Sequence, residues 1–320
     1  MRKVPLAEAV GLVLAHDITA IEPGGFKGVI FSRGHRVTAA DLPKLKAIGK
    51  ENLYAYEPEV GLVHENDAAA SLGAALAGAG LKVSPPAEGK VQLLAERDGL
   101  WLLAETVARK LNLTEGVRVA TRGGGQPVRA GERLASLKVV PLLLPETELE
   151  AARALGPLGE VLPYRPRAVG LVITGNEVYE GRIPDAFGPI LRAKLAPFGG
   201  QILGQVITPD DPAVIARAIL DWRDQGAELI LVTGGLAVDP DDQTPGGITR
   251  AGAEIITFGV PVQPGTLLLV ARLGGVTILG LPSAIIHDPR TSFDVILPRV
   301  MADRELTQES VAELGIGGLL

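Results

Sequence analysis

Leu229–Gly247 reads LILVTGGLAVDPDDQTPGG. Its first four residues, Leu229-Ile230-Leu231-Val232, form an unbroken apolar run, the pattern of a strand buried on both faces. The run breaks at Thr233-Gly234-Gly235 and passes into an acidic loop, Asp239-Pro240-Asp241-Asp242-Gln243-Thr244-Pro245. A strand that opens at its C-terminal end into a glycine turn is where α/β sheets bind ligands. Two glycines let the backbone approach an anion closely, with N–H groups aimed at it. The carboxylates that follow suit a bridging cation or the amine edges of a heterocycle.

Working outward, three further stretches repeat the strand-then-polar-turn pattern. Ala168–Ile173 is a continuous apolar run ending in Thr174-Gly175-Asn176-Glu177, and the loop continues through Gly181 and Asp185 into a helix with Phe187, Ile190, Leu191, Leu195 and Phe198 on one face. Gln201–Ile207 ends in Thr208-Pro209-Asp210-Asp211, where an aspartate is the expected cap of a helix carrying Val214, Ile215, Ala218, Ile219 and Trp222. Val276–Leu279 ends in Gly280-Leu281-Pro282-Ser283, followed by a last helix with Phe293, Ile296, Leu297 and Val300. Glu254–Val260 and Leu267–Ala271 are the remaining strands of this part. Strands alternating with helices predict an α/β domain over 166–305, three layers deep with a mostly parallel sheet, followed by a tail at 306–320. Each turn alone reads equally as an ordinary cap. Together they place four polar turns at C-terminal strand ends, a crevice for a polar, phosphorylated ligand.

The remainder of the chain is built differently. Residues 1–57 read as a small α+β unit: a short helix at Leu6–Val10, a strand at Leu12–Ile18, a helix capped by Thr38 with Leu42, Leu45 and Ile48, and a strand at Leu53–Tyr56. Residues 58–165 read as an irregular α+β unit. Asn66 is placed to cap a helix over Asp67–Ala79, and Val91–Ala95 with Leu100–Ala104 form a hairpin pattern around Asp98-Gly99. Gly123-Gly124-Gly125 follows a strand, but Pro127 and Val128 open no helix, so a plain loop is expected. Gly156–Pro166 has the composition of a linker.

Composition narrows the function classes. The 320 residues are 47% hydrophobic and 21% charged, those of a folded, water-facing protein. A formal net charge of −6 argues against nonspecific nucleic-acid binding. The absence of cysteine excludes disulfides and thiolate chemistry. His16, His35, His64 and His287 have no ligand spacing. No signal-peptide pattern and no apolar run of about 18 residues is present, so a cytoplasmic protein is expected. No Walker A, GxGxxG or GxSxG motif is present.

ITGNEVYEGRIPD, the ITPDD turn, LVTGGLAVDPDDQTP and the GLPSA turn, in that order, resemble the molybdopterin-binding domain of molybdenum-cofactor biosynthesis proteins. Within that resemblance Thr233-Gly234-Gly235 matches the signature turn. Asp242, Thr244 and Pro245 match the acidic end of the loop in the adenylyltransferase branch, and Asp210 matches its other functional aspartate. The order of units, and LAEAVGLVLAHDITA near the start, are more similar to the molybdopterin molybdenumtransferase branch. That branch has a Ser-x-x-Asp-Gly-Tyr-type motif where this chain reads Gly24-Gly25-Phe26-Lys27-Gly28-Val29-Ile30, without aspartate.

The resemblance implies molybdopterin as ligand or substrate. Thr174, Gly175, Asn176, Thr233, Gly234, Gly235, Thr244, Pro282 and Ser283 would hold its phosphate and pterin. Glu177, Asp185, Asp210 and Asp242 would face Mg2+ or the pterin amino edge, with Asp210 and Asp242 as catalytic carboxylates and Glu177 and Asp242 as metal ligands. It also implies a homo-oligomer that meets other cofactor-biosynthesis proteins or molybdoenzymes. If the chain is catalytic it is a transferase, acting in metal insertion or on adenylylated molybdopterin. The alternatives are a non-enzymatic pterin-cofactor carrier or sensor, and a nucleotide pyrophosphatase of the competence-damage type.

Overall fold

The computed structural model describes residues 2–21, 27–55, 59–236 and 242–320. The chain divides into two compact units. One comprises Met1–Arg97, Trp101–Gly124 and Arg129–Val161; the other comprises Asp98–Leu100, Gly125–Val128 and Leu162–Leu320.

The first unit holds two apolar clusters. Leu6, Ala9, Leu14, Ile18, Val37, Leu45 and Leu53 form the smaller one. The larger packs the helix Glu65–Leu76, through Ala68, Ala69, Leu72 and Leu76, against the antiparallel strands Lys90–Ala95, Val117–Thr121 and Arg133–Val139. Several local expectations are corrected here. Lys90–Ala95 pairs with Leu81–Val83 and Arg133–Val139, and Gly99–Leu103 lies in a different sheet, so the Asp98-Gly99 hairpin does not form. The helix cap is His64, whose Nδ1 accepts from the Asn66 N–H at 3.2 Å; the Asn66 side chain accepts from Gly89 N–H instead. Thr38 N–H and Oγ1 both donate to Asp41 Oδ2, and the helix begins only at Leu42. The Gly156–Pro166 stretch contains a strand, Gly159–Pro163.

In the second unit the strands are β1 (Ala168–Thr174), β2 (Gln201–Thr208), β3 (Leu229–Thr233), β4 (Glu254–Phe258), β5 (Leu269–Leu273) and β6 (Val276–Leu281). The helices are α1 (Asn176–Tyr179), α2 (Phe187–Leu195), α3 (Pro212–Asp224), α4 (Thr244–Arg250), α5 (Ala284–His287), α6 (Ser292–Met301) and α7 (Gln308–Ala312). Sheet order is β2-β1-β3-β6-β5-β4. The first four are mutually parallel, and β5 runs antiparallel to both its neighbours, β6 and β4. The fold is thus α/β with a mostly parallel sheet, and the two glycines Gly274-Gly275 make β5 and β6 a hairpin.

Alternate residues of the central strands supply the two faces. Val169, Leu171 and Ile173 of β1 and Leu229 and Leu231 of β3 pack with α2 and α6. Val172, Ile230 and Val232 pack on the other face with Ile215, Ile219 and Trp222 of α3 and with Ile248 of α4. Burying each such aliphatic side chain contributes about 1.5–3 kcal/mol. Trp222 fixes the distance of α3 from the sheet: a Cβ at Gly170 would stand 2.5 Å from its Cγ, and its Nε1 donates to Leu171 O at 3.1 Å. Residues beyond α6 belong to the same core, since Leu306 and Val311 are buried in it. No described helix is long and apolar enough to cross a membrane.

Candidate functional site

The register of the parallel strands brings the four turns together. Thr174 of β1 lies opposite Thr208 of β2, Ile173 opposite Thr233 of β3, and Thr233 opposite Leu281 of β6. Gly175-Asn176-Glu177, Pro209-Asp210-Asp211, Gly234-Gly235 and Pro282-Ser283 therefore line one edge of the sheet.

The glycine turn is held from beneath by two threonines. Thr174 Oγ1 donates to Thr233 O at 2.7 Å, and Thr244 Oγ1 donates to Gly234 O at 2.8 Å. The two hydroxyls lie 3.4 Å apart. Thr244 N–H closes the turn by donating to Gly235 O at 3.2 Å. These hydroxyls are buried and occupied with backbone carbonyls, so both threonines shape the turn. Gly234 has φ +81°, and a Cβ there would lie 2.7 Å from both O and Oγ1 of Thr174. Only glycine combines that backbone with that approach.

Asn176 and Asp210 link the two neighbouring turns by reciprocal hydrogen bonds of 2.9 and 3.1 Å. Asp211, as expected, caps α3 by accepting from Ala213 and Val214 N–H. Asp185 is also engaged. Its carboxylate accepts from Phe187 and Gly188 N–H at the start of α2 and from Gln205 Nε2 at 2.8 Å. Gln205 was missed from sequence; its signal is a polar residue in the middle of an apolar strand. Glu177 is exposed, with its carboxylate over Gly175, where a Cβ would stand 3.0 Å from Oε1. Ser283 is exposed at the start of α5 and makes no side-chain cap bond; Pro282 beside it is buried. Asp242 is half-buried next to the turn, whereas Asp239 and Asp241, and Gly24–Phe26 of the N-terminal segment, lie outside the described residues.

Thr208 Oγ1 and Thr233 Oγ1 at this edge are buried and have no hydrogen-bond partner among the described residues. Such groups cost about 1–3 kcal/mol and concentrate where function retains them. Among the described residues no group of three or more His, Asp or Glu side chains could hold a metal ion alone. Gly123–Gly125 is a plain loop, as expected, and Arg299 occupies the space beside Gly125.

Four polar turns on one parallel-strand edge is the geometry in which open α/β sheets hold ligands. Comparison with known proteins shows what this chain is similar to. Residues 170–302 match the family described as "Probable molybdopterin binding domain". Residues 3–57 match "Domain of unknown function (DUF8806)". The molybdopterin molybdenumtransferase of Synechococcus elongatus is 29% identical over 160 residues, 47% of this chain and 38% of that protein. A CinA-like protein of Mycobacterium avium is 36% identical over 96 residues, 30% of this chain and 22% of that one. The chain thus spans less than two fifths of the length of these curated relatives. Among solved structures, the tungsten cofactor synthesizing protein MoaB from Pyrococcus furiosus aligns at 19% identity with a TM-score of 0.36, covering 42% of this chain and 93% of that one.

Proposed function

We propose that the four-turn edge binds molybdopterin or its adenylylated form and that the protein acts in molybdenum-cofactor biosynthesis. One observation carries the reading: parallel register puts the Thr174, Asp210, Gly234 and Ser283 turns on one edge, within the family-matched domain. In this reading Gly175, Gly234 and Gly235 offer backbone to the phosphate, with Thr233 and Ser283 hydroxyls beside them. Thr174 and Thr244 hold the turn, and Asn176 and Asp210 hold the two loops in register. Pro282 shapes the final turn.

Mg2+ binds through one or two carboxylates together with substrate phosphates. The absence of a metal cluster among the described residues is compatible with a metal that arrives with its phosphorylated ligand. Glu177 and Asp242 are the carboxylates offered to it, and it would neutralise charge on phosphoryl oxygens. Calorimetry of the intact protein with molybdopterin tests the proposal. Saturable heat, lost in Asp242→Asn, supports it; no heat overturns it.

Similarity to CinA-like proteins favours one second reading, hydrolysis of a nucleotide pyrophosphate at the same edge. Pyrophosphatase activity that disappears in Asp242→Asn would establish it. A turnover assay with ATP, Mg2+ and molybdate separates a transferase from a carrier or sensor, since a carrier yields no product.

A further inference from the structure

The second unit has a concave surface at the sheet edge opposite the turns. A cavity of about 380 Å³ opens there, where β1 begins and where Gly274-Gly275 joins β5 to β6. Four arginines line it, Arg165, Arg167, Arg272 and Arg304, against two carboxylates, Asp303 and Glu305. With Glu228, which Arg165 also binds, four guanidinium groups meet three carboxylates, and the surface keeps an excess of one positive charge in a chain of formal net charge −6.

The arginines are built in rather than scattered. Arg167 is only 8% exposed. Its Nε donates to Val300 O at 3.1 Å, and its Nη2 donates to Asp303 Oδ1. Arg165 donates from Nε to the other oxygen of Asp303 at 3.0 Å and from Nη1 to Glu228 at 2.6 Å. One carboxylate is therefore shared by two guanidinium groups.

The residue that carries it sits in a costly conformation. Asp303 follows α6 with φ +55°, the position where glycine usually ends a helix. Glycine there would relieve the strain and delete the carboxylate that fixes Arg165 beside Arg167. Backbone strain retained at such a point is characteristic of functional sites.

Arg304 carries the uncompensated charge. Arg272 pairs with Glu305 at 3.0 Å, and no ion pair of Arg304 occurs among the described residues. Buried Val270, Val300 and Leu306 give the cavity an apolar floor. Guanidinium groups match phosphate oxygens in geometry and charge, and the volume lies in the range of small-ligand pockets.

We propose that this cavity binds a small phosphate-bearing molecule at a site separate from the four-turn edge. Inorganic pyrophosphate is the probe, titrated calorimetrically into the intact protein. Saturable binding is expected, weakened at least about tenfold in Arg304→Ala and changed less than about twofold in Asn176→Ala at the other edge. Arg304 is exposed, so its truncation leaves the core untouched. Absence of heat at millimolar pyrophosphate overturns the proposal, as does binding unaffected by Arg304→Ala or lost equally in Asn176→Ala. Amide chemical shifts supply a second readout: Gly274 and Gly275 must move on addition of pyrophosphate, and unmoved signals there overturn the assignment even if heat is seen.

Discussion

Asn176 and Asp210 hold one another. The backbone N–H of Asn176 donates to Asp210 Oδ2 at 2.9 Å, and the backbone N–H of Asp210 donates to Asn176 Oδ1 at 3.1 Å. Each side chain satisfies the other's main chain across 34 residues, joining the ends of β1 and β2. Asp210 thereby sets the position of the first turn whatever else its carboxylate meets.

That clasp predicts coupling. Asn176→Ala and Asp210→Ala should each lower stability by about 1 kcal/mol, and their double-mutant cycle should return about 0.5–1 kcal/mol of interaction. Urea unfolding of the two single variants and the double variant checks it. Additive losses would show that the two bonds act independently.

Gly234 carries a steeper penalty. Gly234→Ala combines a left-handed backbone with a Cβ driven against Thr174, and should cost about 2 kcal/mol or more. Gly226 also has positive φ, +87°, but open space around it. Gly226→Ala should therefore cost only the conformational part, about 1 kcal/mol. Comparing the two melting temperatures separates strain from collision, and equal losses would refute the close packing of the turn on Thr174.

Thr174→Val keeps shape but removes the donor to Thr233 O. A buried carbonyl left without that partner should cost about 1–3 kcal/mol. Thr174→Ser, which keeps the hydroxyl, should recover most of it. Thermal unfolding of both variants is the measurement, and a fully destabilised serine variant would shift the weight to the methyl group.

His64 predicts a pH dependence in the first unit. The side chain is 5% exposed, and burial holds its pKa below the usual histidine value. The neutral ring also accepts the Asn66 N–H as helix cap. Its contribution is complete above about pH 6.5, the unfolded value, and declines as pH falls further, because the unfolded chain then binds the proton more readily. His16 is shifted in the same direction, again chiefly by burial. Melting temperature should fall from about pH 8 to about pH 5, and His64→Asn, which keeps a cap acceptor, should fall less steeply. Parallel curves would exclude His64 as the titrating group.

Much of the second unit is legible in its text because local chemistry and tertiary packing agree there. Apolar runs such as Leu229–Val232 and Val169–Ile173 have only buried interpretations, and Asp211 caps the helix that follows it whatever the surroundings. The resemblance of the four turns to one family rests on these same local segments. Partner choice is different. Lys90–Ala95 has the alternation of a hairpin strand, yet its neighbours come from Leu81–Val83 and Arg133–Val139, because alternation specifies a face and not the strand beside it. Asn66 has the side chain of a helix cap, yet it accepts from Gly89 N–H, far along the chain, and His64 caps the helix instead.

The sequence alone determined an α/β domain, its strand ends and the residue types gathered on them. Only the tertiary structure decided what those residues do. Thr174 and Thr244 face backbone carbonyls, Asp185 serves α2 and Gln205, and Asp210 secures the neighbouring turn. It also buried Arg167 at the entry to β1, with Val300 O and Asp303 as its partners. Spacing along a chain sets which edge a side chain occupies. Its hydrogen-bond partners come from segments tens of residues away, and only folding makes them neighbours.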